Sequence, residues 1–96
     1  MRLRFAADAA RELSEASAFY DSARSGYGAK LEAAVDDAVA RIEEQPLAFP
    51  KMQGAAGFRS AKVLGFPYRL VYAVVDREVR ILAVAHGARA PGYWRK

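Results

Sequence analysis

Cysteine is absent from this sequence of 96 residues, and histidine occurs once, as His86. Without cysteine the chain forms no disulfide and offers no thiolate ligands, which excludes a disulfide-stabilised scaffold and a cysteine-rich zinc site. The sequence also contains no cluster of metal ligands, no Ser/His/Asp arrangement and no glycine loop of the kind that holds phosphates. We therefore expect no cofactor.

Long apolar runs are missing as well. No stretch approaches the roughly 18 apolar residues of a membrane-spanning helix, and the segment Met1 to Phe5 lacks the apolar core of a signal peptide. These absences predict a cytoplasmic protein with no membrane partner. The hydrophobic content of 53% supports a packed core, and at this length residues 1–96 are expected to form a single domain.

Acidic residues are scarce in the second half of the chain. Residues 1–48 contain 6 Lys and Arg against 9 Asp and Glu, whereas residues 49–96 contain 9 against 2. The second half is therefore strongly basic, although the net charge of the whole chain is only +4. Such a surface attracts either phosphates or an acidic protein partner.

The first part of the sequence predicts a strand and a helix. Arg2 to Phe5 alternates charged and apolar residues, as a half-buried strand does. A helical pattern then runs from about Asp8 to Ala23, with apolar residues recurring every three or four positions. Gly26 and Gly28 are expected to break this pattern around Tyr27.

A second helical pattern has its apolar positions between Leu31 and Ile42, and Pro46 ends it. The short connection between the two patterns favours an antiparallel helical hairpin. Alanines on both apolar faces allow the two helices to approach closely.

The second half predicts three strands. The stretch Leu47 to Gly57, rich in proline and glycine, is expected to be a loop before a strand from Phe58 to Leu64. Tyr68 to Val75 is apolar on both faces and predicts a central strand. Asp76 to Glu78 is expected to turn the chain into a last strand, Val79 to Ala85. The predicted fold is α+β: an N-terminal strand, a helical hairpin and a three-strand antiparallel meander packed on the two helices.

The central strand raises the question of what covers its second face. Two helices cover one face of a small sheet, so the other face is expected to expose an apolar patch of several hundred Å². It must be covered by a second copy, by another protein, or by the carboxyl-terminal tail with Tyr93 and Trp94. A basic, partly apolar surface suits an acidic amphipathic segment that folds on contact.

Residues along nearly the whole chain resemble the ParE/RelE superfamily of toxins from type II toxin–antitoxin systems, also called plasmid stabilization proteins. The resemblance is carried by these features in order: the Phe5 strand, the Ala9 and Leu13 helix start, Tyr20, Tyr27-Gly28, Pro46, Phe66-Pro67-Tyr68-Arg69-Leu70-Val71-Tyr72, Val84-Ala85-His86-Gly87, Arg89 and Trp94. It implies a bacterial cytoplasmic toxin that a cognate acidic antitoxin neutralises in a hetero-oligomeric complex.

The superfamily implies two different targets. Its ParE branch poisons DNA gyrase without a hydrolytic site, and its RelE branch cleaves messenger RNA on the ribosome. Arg69 is the only charge on the central strand, and the run His86-Gly87-Ala88-Arg89 is similar to the ParE pattern. The resemblance therefore favours gyrase inhibition by protein binding, with the endonuclease as the alternative and a non-toxic interaction module as a second one.

An endonuclease would need a base, an acid and cations for the phosphate. The candidates are His86 as base or acid and Tyr93 as a further acid or stacking group. The candidate cations for the phosphate are Arg59, Lys62, Arg69 and Arg89. A single histidine at a strand end is more often structural. The candidates for binding an antitoxin or target are Arg59, Lys62, Phe66, Tyr68, Arg69, Tyr72, His86, Arg89, Tyr93 and Trp94.

Overall fold

A computed structural model gives the fold, and residues 1–54, 57–87 and 93–94 are described. The chain forms six elements in the order β1 (Arg2–Phe5), α1 (Ala7–Ala23), α2 (Tyr27–Glu44), β2 (Phe58–Val63), β3 (Tyr68–Val75) and β4 (Glu78–His86). This is the predicted order of one strand, two helices and three strands. The fold class is α+β, as expected.

The four strands form one sheet in the order β1-β4-β3-β2. The strands β2, β3 and β4 pair antiparallel with their chain neighbours, which confirms the predicted meander. The strand β1 adds to the far edge and pairs parallel with the first residues of β4, from Arg2 opposite Glu78 to Phe5 opposite Ile81. The two helices separate β1 from β4 in sequence, and such a crossover is what a parallel pair requires.

The turn between β3 and β4 is tighter than predicted. Its two residues, Asp76 and Arg77, have φ angles of 50° and 61°. Positive φ at both central positions is the requirement of a two-residue hairpin turn whose twist matches the strands. Glu78 therefore belongs to β4 and pairs with Val75, instead of lying in the turn.

The two helices approach closely where α2 begins. Gly26 adopts a left-handed conformation (φ 89°) and ends the link between them, but Gly28 lies inside α2 and does not break it. A Cβ atom at Gly28 would be 2.6 Å from the backbone oxygen of Ser17. Its amide donates a 2.7 Å hydrogen bond to the Asp21 carboxylate. The expected break between the helices is present at residues 24–26, and Gly28 is instead a contact point of the helical hairpin.

The core lies between the helices and one face of the sheet. Tyr72 of β3 is the largest fully buried side chain in the described part of the chain. Its hydroxyl donates a 2.5 Å hydrogen bond to the carbonyl of Pro46, just beyond the end of α2. This bond connects the central strand to the point where the second helix stops.

The outer edge of β2 is covered by its own chain. In the preceding loop, the Met52 amide donates a hydrogen bond to the carbonyl of Phe58, and the carbonyl of Pro50 accepts one from the amide of Ser60. Farther along, the Arg41 guanidinium donates to the carbonyl of Lys62 at 2.9 Å. These bonds use polar groups that would otherwise recruit another strand, and β2 ends at Val63, one residue earlier than predicted.

The close contact at Gly28 predicts that even one added methyl group destabilises the fold. Gly28→Ala should lower the free energy of unfolding by about 1–3 kcal/mol, because backbone must move to admit the Cβ atom. This loss exceeds the helix-propensity gain of alanine. Gly26→Asn is the control, since that site is open and asparagine tolerates a positive φ. Chemical denaturation measures both variants, and equal stabilities would refute the close packing.

The Tyr72 bond predicts a loss of stability in Tyr72→Phe of about 0.5–1.5 kcal/mol at neutral pH. Burial raises the pKa of Tyr72 in the folded protein above its value of about 10 in the unfolded chain. As the pH rises above about 10, the unfolded chain therefore loses the phenol proton more readily than the folded protein does. Wild-type stability should therefore fall above that pH, and the fall should be smaller in Tyr72→Phe. Denaturation midpoints at pH 7 and 10.5 measure both effects, and parallel pH profiles would contradict the role of Tyr72.

Candidate functional site

The sheet face that points away from the core, called the outer face below, is bordered by cations. Along β1, Leu3 and Phe5 pack against the core, so the alternating Arg2 and Arg4 point to the outer face. The same alternation and the strand register give the charged side chains that the four strands place on this face. They are Arg2, Arg4, Lys62, Arg69, Glu78 and Arg80.

Two of these arginines are direct neighbours. Arg4 of β1 lies opposite Arg80 of β4 in the sheet register. Glu78 holds them together: its carboxylate is 2.8 Å from Nε of Arg80 and 3.9 Å from Nη1 of Arg4. The hydrogen bond from Arg80 lowers the pKa of Glu78, and the charges of the nearby arginines act in the same direction. The arginine side chains remain 64% and 48% exposed, so they keep a large surface for a partner.

A second like-charged pair lies at the opposite side of the outer face. Lys62 of β2 is opposite Arg69 of β3, and both are exposed. Arg69 reaches the hydroxyl of Ser60 at 3.4 Å. No carboxylate of the described residues makes an ion pair with Lys62 or Arg69.

The centre of the outer face corrects the expected apolar patch. Val71 and Ala83 are each only 1% exposed, and Ala73 is also buried. These side chains are small, and the register places the long side chains of Phe58 and Arg80 beside Ala73. The small apolar residues at the centre of this face are therefore covered, and they do not form the exposed apolar patch that was expected.

The end of β4 meets a group of aromatic rings on the core side. His86 packs edge-on against Tyr68, with ring centroids 5.1 Å apart. Tyr68 contacts Tyr20 of α1, and Tyr20 contacts Phe66 in the loop between β2 and β3. Burial, followed by the neighbouring Tyr20, raises the pKa of Tyr68. His86, Phe66 and Tyr68 therefore join helix α1 to the sheet.

A cleft of about 220 Å³ lies beside these rings, at the part of β4 that β1 does not pair with. Its lining consists of Glu12, Glu15, Ala16, Tyr68, Val84, His86 and Tyr93. Glu12 accepts a 3.0 Å hydrogen bond from the backbone amide of Val84. The Tyr93 hydroxyl donates to the other oxygen of the same carboxylate at 2.7 Å. Glu12 thus occupies the position of a missing strand partner at this edge.

Sequence reasoning missed Glu12. The signal was present, because Glu12 follows Ala9 by three residues and precedes Ala16 by four, which puts a carboxylate next to the apolar face of α1. Its partners Val84 and Tyr93 are more than 70 residues away along the chain. Only the fold brings them together.

Two of the binding candidates are held by the core. Tyr72 is completely buried, so its side chain offers no surface to a partner in this conformation. Arg59 lies beside Tyr72 in the register and donates a 2.7 Å hydrogen bond to the carbonyl of Phe49. It therefore belongs to the core side of the sheet and is separated from the outer-face cations.

The carboxyl-terminal candidates lie at the sheet edge. Tyr93 reaches back to α1 and β4, and the ring of Trp94 packs edge-on against it at 5.5 Å. The indole nitrogen of Trp94 is buried and finds no acceptor among the described residues. Tyr93 therefore folds against the cleft at the edge of the sheet, while Arg89 lies outside the described residues.

Two of the catalytic candidates, His86 and Tyr93, lie together, whereas Arg69 is separated from them. Tyr68 is opposite His86, so both side chains lie on the core side of the sheet. Arg69 is the next residue along β3 and points to the outer face. His86 and Tyr93 share the cleft, but Glu12 and Glu15 are its charged neighbours.

The described ranges 1–54, 57–87 and 93–94 contain neither a candidate metal site nor a candidate membrane-spanning helix. No three histidine, cysteine or acidic residues are arranged to hold a metal ion there. No helix in those ranges is long and apolar enough to cross a membrane.

Comparison with known proteins identifies the family. Residues 3–91 match the family described as the ParE toxin of the type II toxin–antitoxin system, parDE. Among solved structures, a chain from the chromosomal ParDE TA system of P. aeruginosa has a TM-score of 0.69 and 20% sequence identity, covering 90% of this chain and 95% of that chain. That likeness shows a shared fold, and curated proteins gave no match. Because the family match spans nearly all of the sequence, the chain belongs to the ParE toxin family of type II toxin–antitoxin systems.

Proposed function

We propose that this toxin inhibits DNA gyrase by binding to it and that a cognate acidic antitoxin neutralises the toxin in a hetero-oligomeric complex in the cytoplasm. Membership of the ParE family supports the toxin role, and the resemblance of the His86 to Arg89 run to the ParE pattern favours the gyrase target. The structural neighbour from P. aeruginosa belongs to a ParDE toxin–antitoxin system, which supports an antitoxin partner.

The separation of Arg69 from His86 is the main observation in favour of a toxin that acts by binding its target and not by cleaving RNA. Cleaving RNA requires a cation at the phosphate while a neighbouring base and acid move protons. His86 lies on the core side of the sheet, whereas Arg69 points to the outer face. This separation of Arg69 from His86 favours action by binding over cleavage of RNA.

The charge of the cleft supports the same proposal. A phosphate placed next to His86 and Tyr93 would also lie near Glu12 and Glu15. Two carboxylates repel a phosphate at close range in a partly buried site. His86 instead has a packing role against Tyr68.

The outer face supports the antitoxin proposal. It combines Arg2, Arg4, Lys62, Arg69 and Arg80 with a single acidic side chain, Glu78. Complementary charge speeds association with an acidic segment and disfavours basic partners. An acidic antitoxin segment is the partner that this distribution fits.

Replacing His86 should leave toxicity intact. His86→Phe keeps a ring against Tyr68 but has no group that can transfer a proton at neutral pH. We expect the induced variant to arrest growth within about twofold of the wild-type dose, and both proteins to stabilise gyrase-cleaved DNA while ribosome-bound messenger RNA stays intact. Thermal unfolding of the purified variant provides the control for folding.

Each other outcome selects a different function. Wild-type cleavage of ribosome-bound messenger RNA that His86→Phe abolishes without unfolding would establish the endonuclease. Cells that divide normally while soluble, folded wild-type protein accumulates would favour the non-toxic interaction module. Either outcome would refute gyrase inhibition.

A further inference from the structure

The last part of β4, residues 82–86, lacks a strand partner on one side. The strand β1 pairs with β4 only as far as Phe5 opposite Ile81, and no strand of the described part of the chain lies farther along on that side. The register between β3 and β4 skips Leu82, which is therefore an extra residue in β4. Such a bulge bends a strand and ends its pairing with a neighbour. Residues 82–86 are called the free edge below.

The free edge has the composition of a strand that pairs readily. Its sequence is Leu-Ala-Val-Ala-His, with no proline and no lysine, arginine or acidic residue. Prolines and charged residues are common means by which proteins keep an edge strand from pairing with another chain. Since the free edge contains neither, its protection depends on another part of the molecule.

Glu12 and Tyr93 occupy the free edge at Val84. The Val84 amide donates a 3.0 Å hydrogen bond to one oxygen of the Glu12 carboxylate. The Tyr93 hydroxyl donates to the other oxygen at 2.7 Å and lies 3.5 Å from the carbonyl oxygen of Val84. These two side chains therefore contact both backbone groups that a further strand would use at Val84.

Val84 is the centre of the free edge, with two residues of the edge on each side. A two-fold axis at Val84 would bring the free edges of two chains together as an antiparallel pair. Val84 of each copy would then exchange N–H···O=C hydrogen bonds with Val84 of the other. Ala83 would lie opposite Ala85, and Leu82 opposite His86, so no like charges would meet. A second copy of the chain is thus an occupant that the free edge fits.

The charge of Glu12 opposes this pairing. Glu12 is half-buried, and both oxygens of its carboxylate accept hydrogen bonds. Pairing at Val84 would take the amide from Glu12 and would bring the two copies of this carboxylate toward the same axis. A partly buried carboxylate that loses a donor and gains a like charge nearby is destabilised.

We propose that Glu12 and Tyr93 form an edge guard, which keeps β4 from pairing with β4 of a second copy of the chain. Glu12 occupies the amide of Val84, and Tyr93 holds the carboxylate in place. The inference concerns the free chain alone, so it is independent of the target on which the toxin acts.

Sedimentation velocity of the full chain over a range of concentrations tests the edge guard. Glu12→Ala/Tyr93→Phe should self-associate about tenfold more tightly than the wild type, because Val84 is then free to pair. Glu15→Ala/Tyr27→Phe is the matched control with the same two changes. Glu15 lines the same cleft, but its carboxylate accepts a hydrogen bond from a neighbour on α1. We expect the control to associate as the wild type does.

Amide hydrogen exchange, measured by NMR, adds a readout that a purely structural role would not change. In dilute Glu12→Ala/Tyr93→Phe the Val84 amide should exchange about tenfold faster than in the wild type, and a higher protein concentration should slow it again as dimers form. Glu12→Gln should keep wild-type exchange and association, because its amide oxygen still accepts a hydrogen bond. Tyr93→Phe alone keeps the carboxylate and should change both quantities less, so it replaces the double variant if that variant unfolds.

Three results would overturn the proposal. Equal self-association of the wild type and Glu12→Ala/Tyr93→Phe would show that the free edge needs no guard. Fast exchange of the Val84 amide at every concentration would show that the exposed edge does not pair. Dimers in which the newly protected amides lie outside residues 82–86 would assign the association to another surface.

Discussion

A chain of 96 residues with two helices covers only one face of its four-stranded sheet in the described part of the structure, and the rest of the molecule follows from this constraint. The large side chains, with Tyr72 at their centre, are concentrated on the covered side. The outer face has small residues at its centre, which are themselves buried, and long cationic side chains at its borders.

Features that depend on short-range patterns could be predicted from the sequence. The helical spacing before Ala23, the stop at Pro46 and the apolar run from Tyr68 to Val75 each lie within one element, and each predicted element is present. Errors arose where one residue has two interpretations. Gly28 is typical of a break in a helix, but the close approach to Ser17 requires glycine inside the helix, and this becomes visible only once both helices are placed.

The candidate site was less predictable because register determines it. The Asp76-Arg77 turn sets the alignment of β3 and β4, and a slip by one residue would move Arg80 to the core side. No local pattern predicted that Arg4 would face Arg80, since β1 and β4 are separated by both helices. The prediction of an exposed apolar patch was also wrong. Apolar residues on both faces of a strand do not show how neighbouring residues cover them.

Acidic and basic side chains lie on different sides of the sheet. Glu12 and Glu15 border the cleft beside His86. The cations that border the outer face are Arg2, Arg4, Lys62, Arg69 and Arg80. An acidic segment is attracted to one side and repelled from the other. An acidic partner can therefore approach the outer face while Glu12 continues to hold the edge of β4.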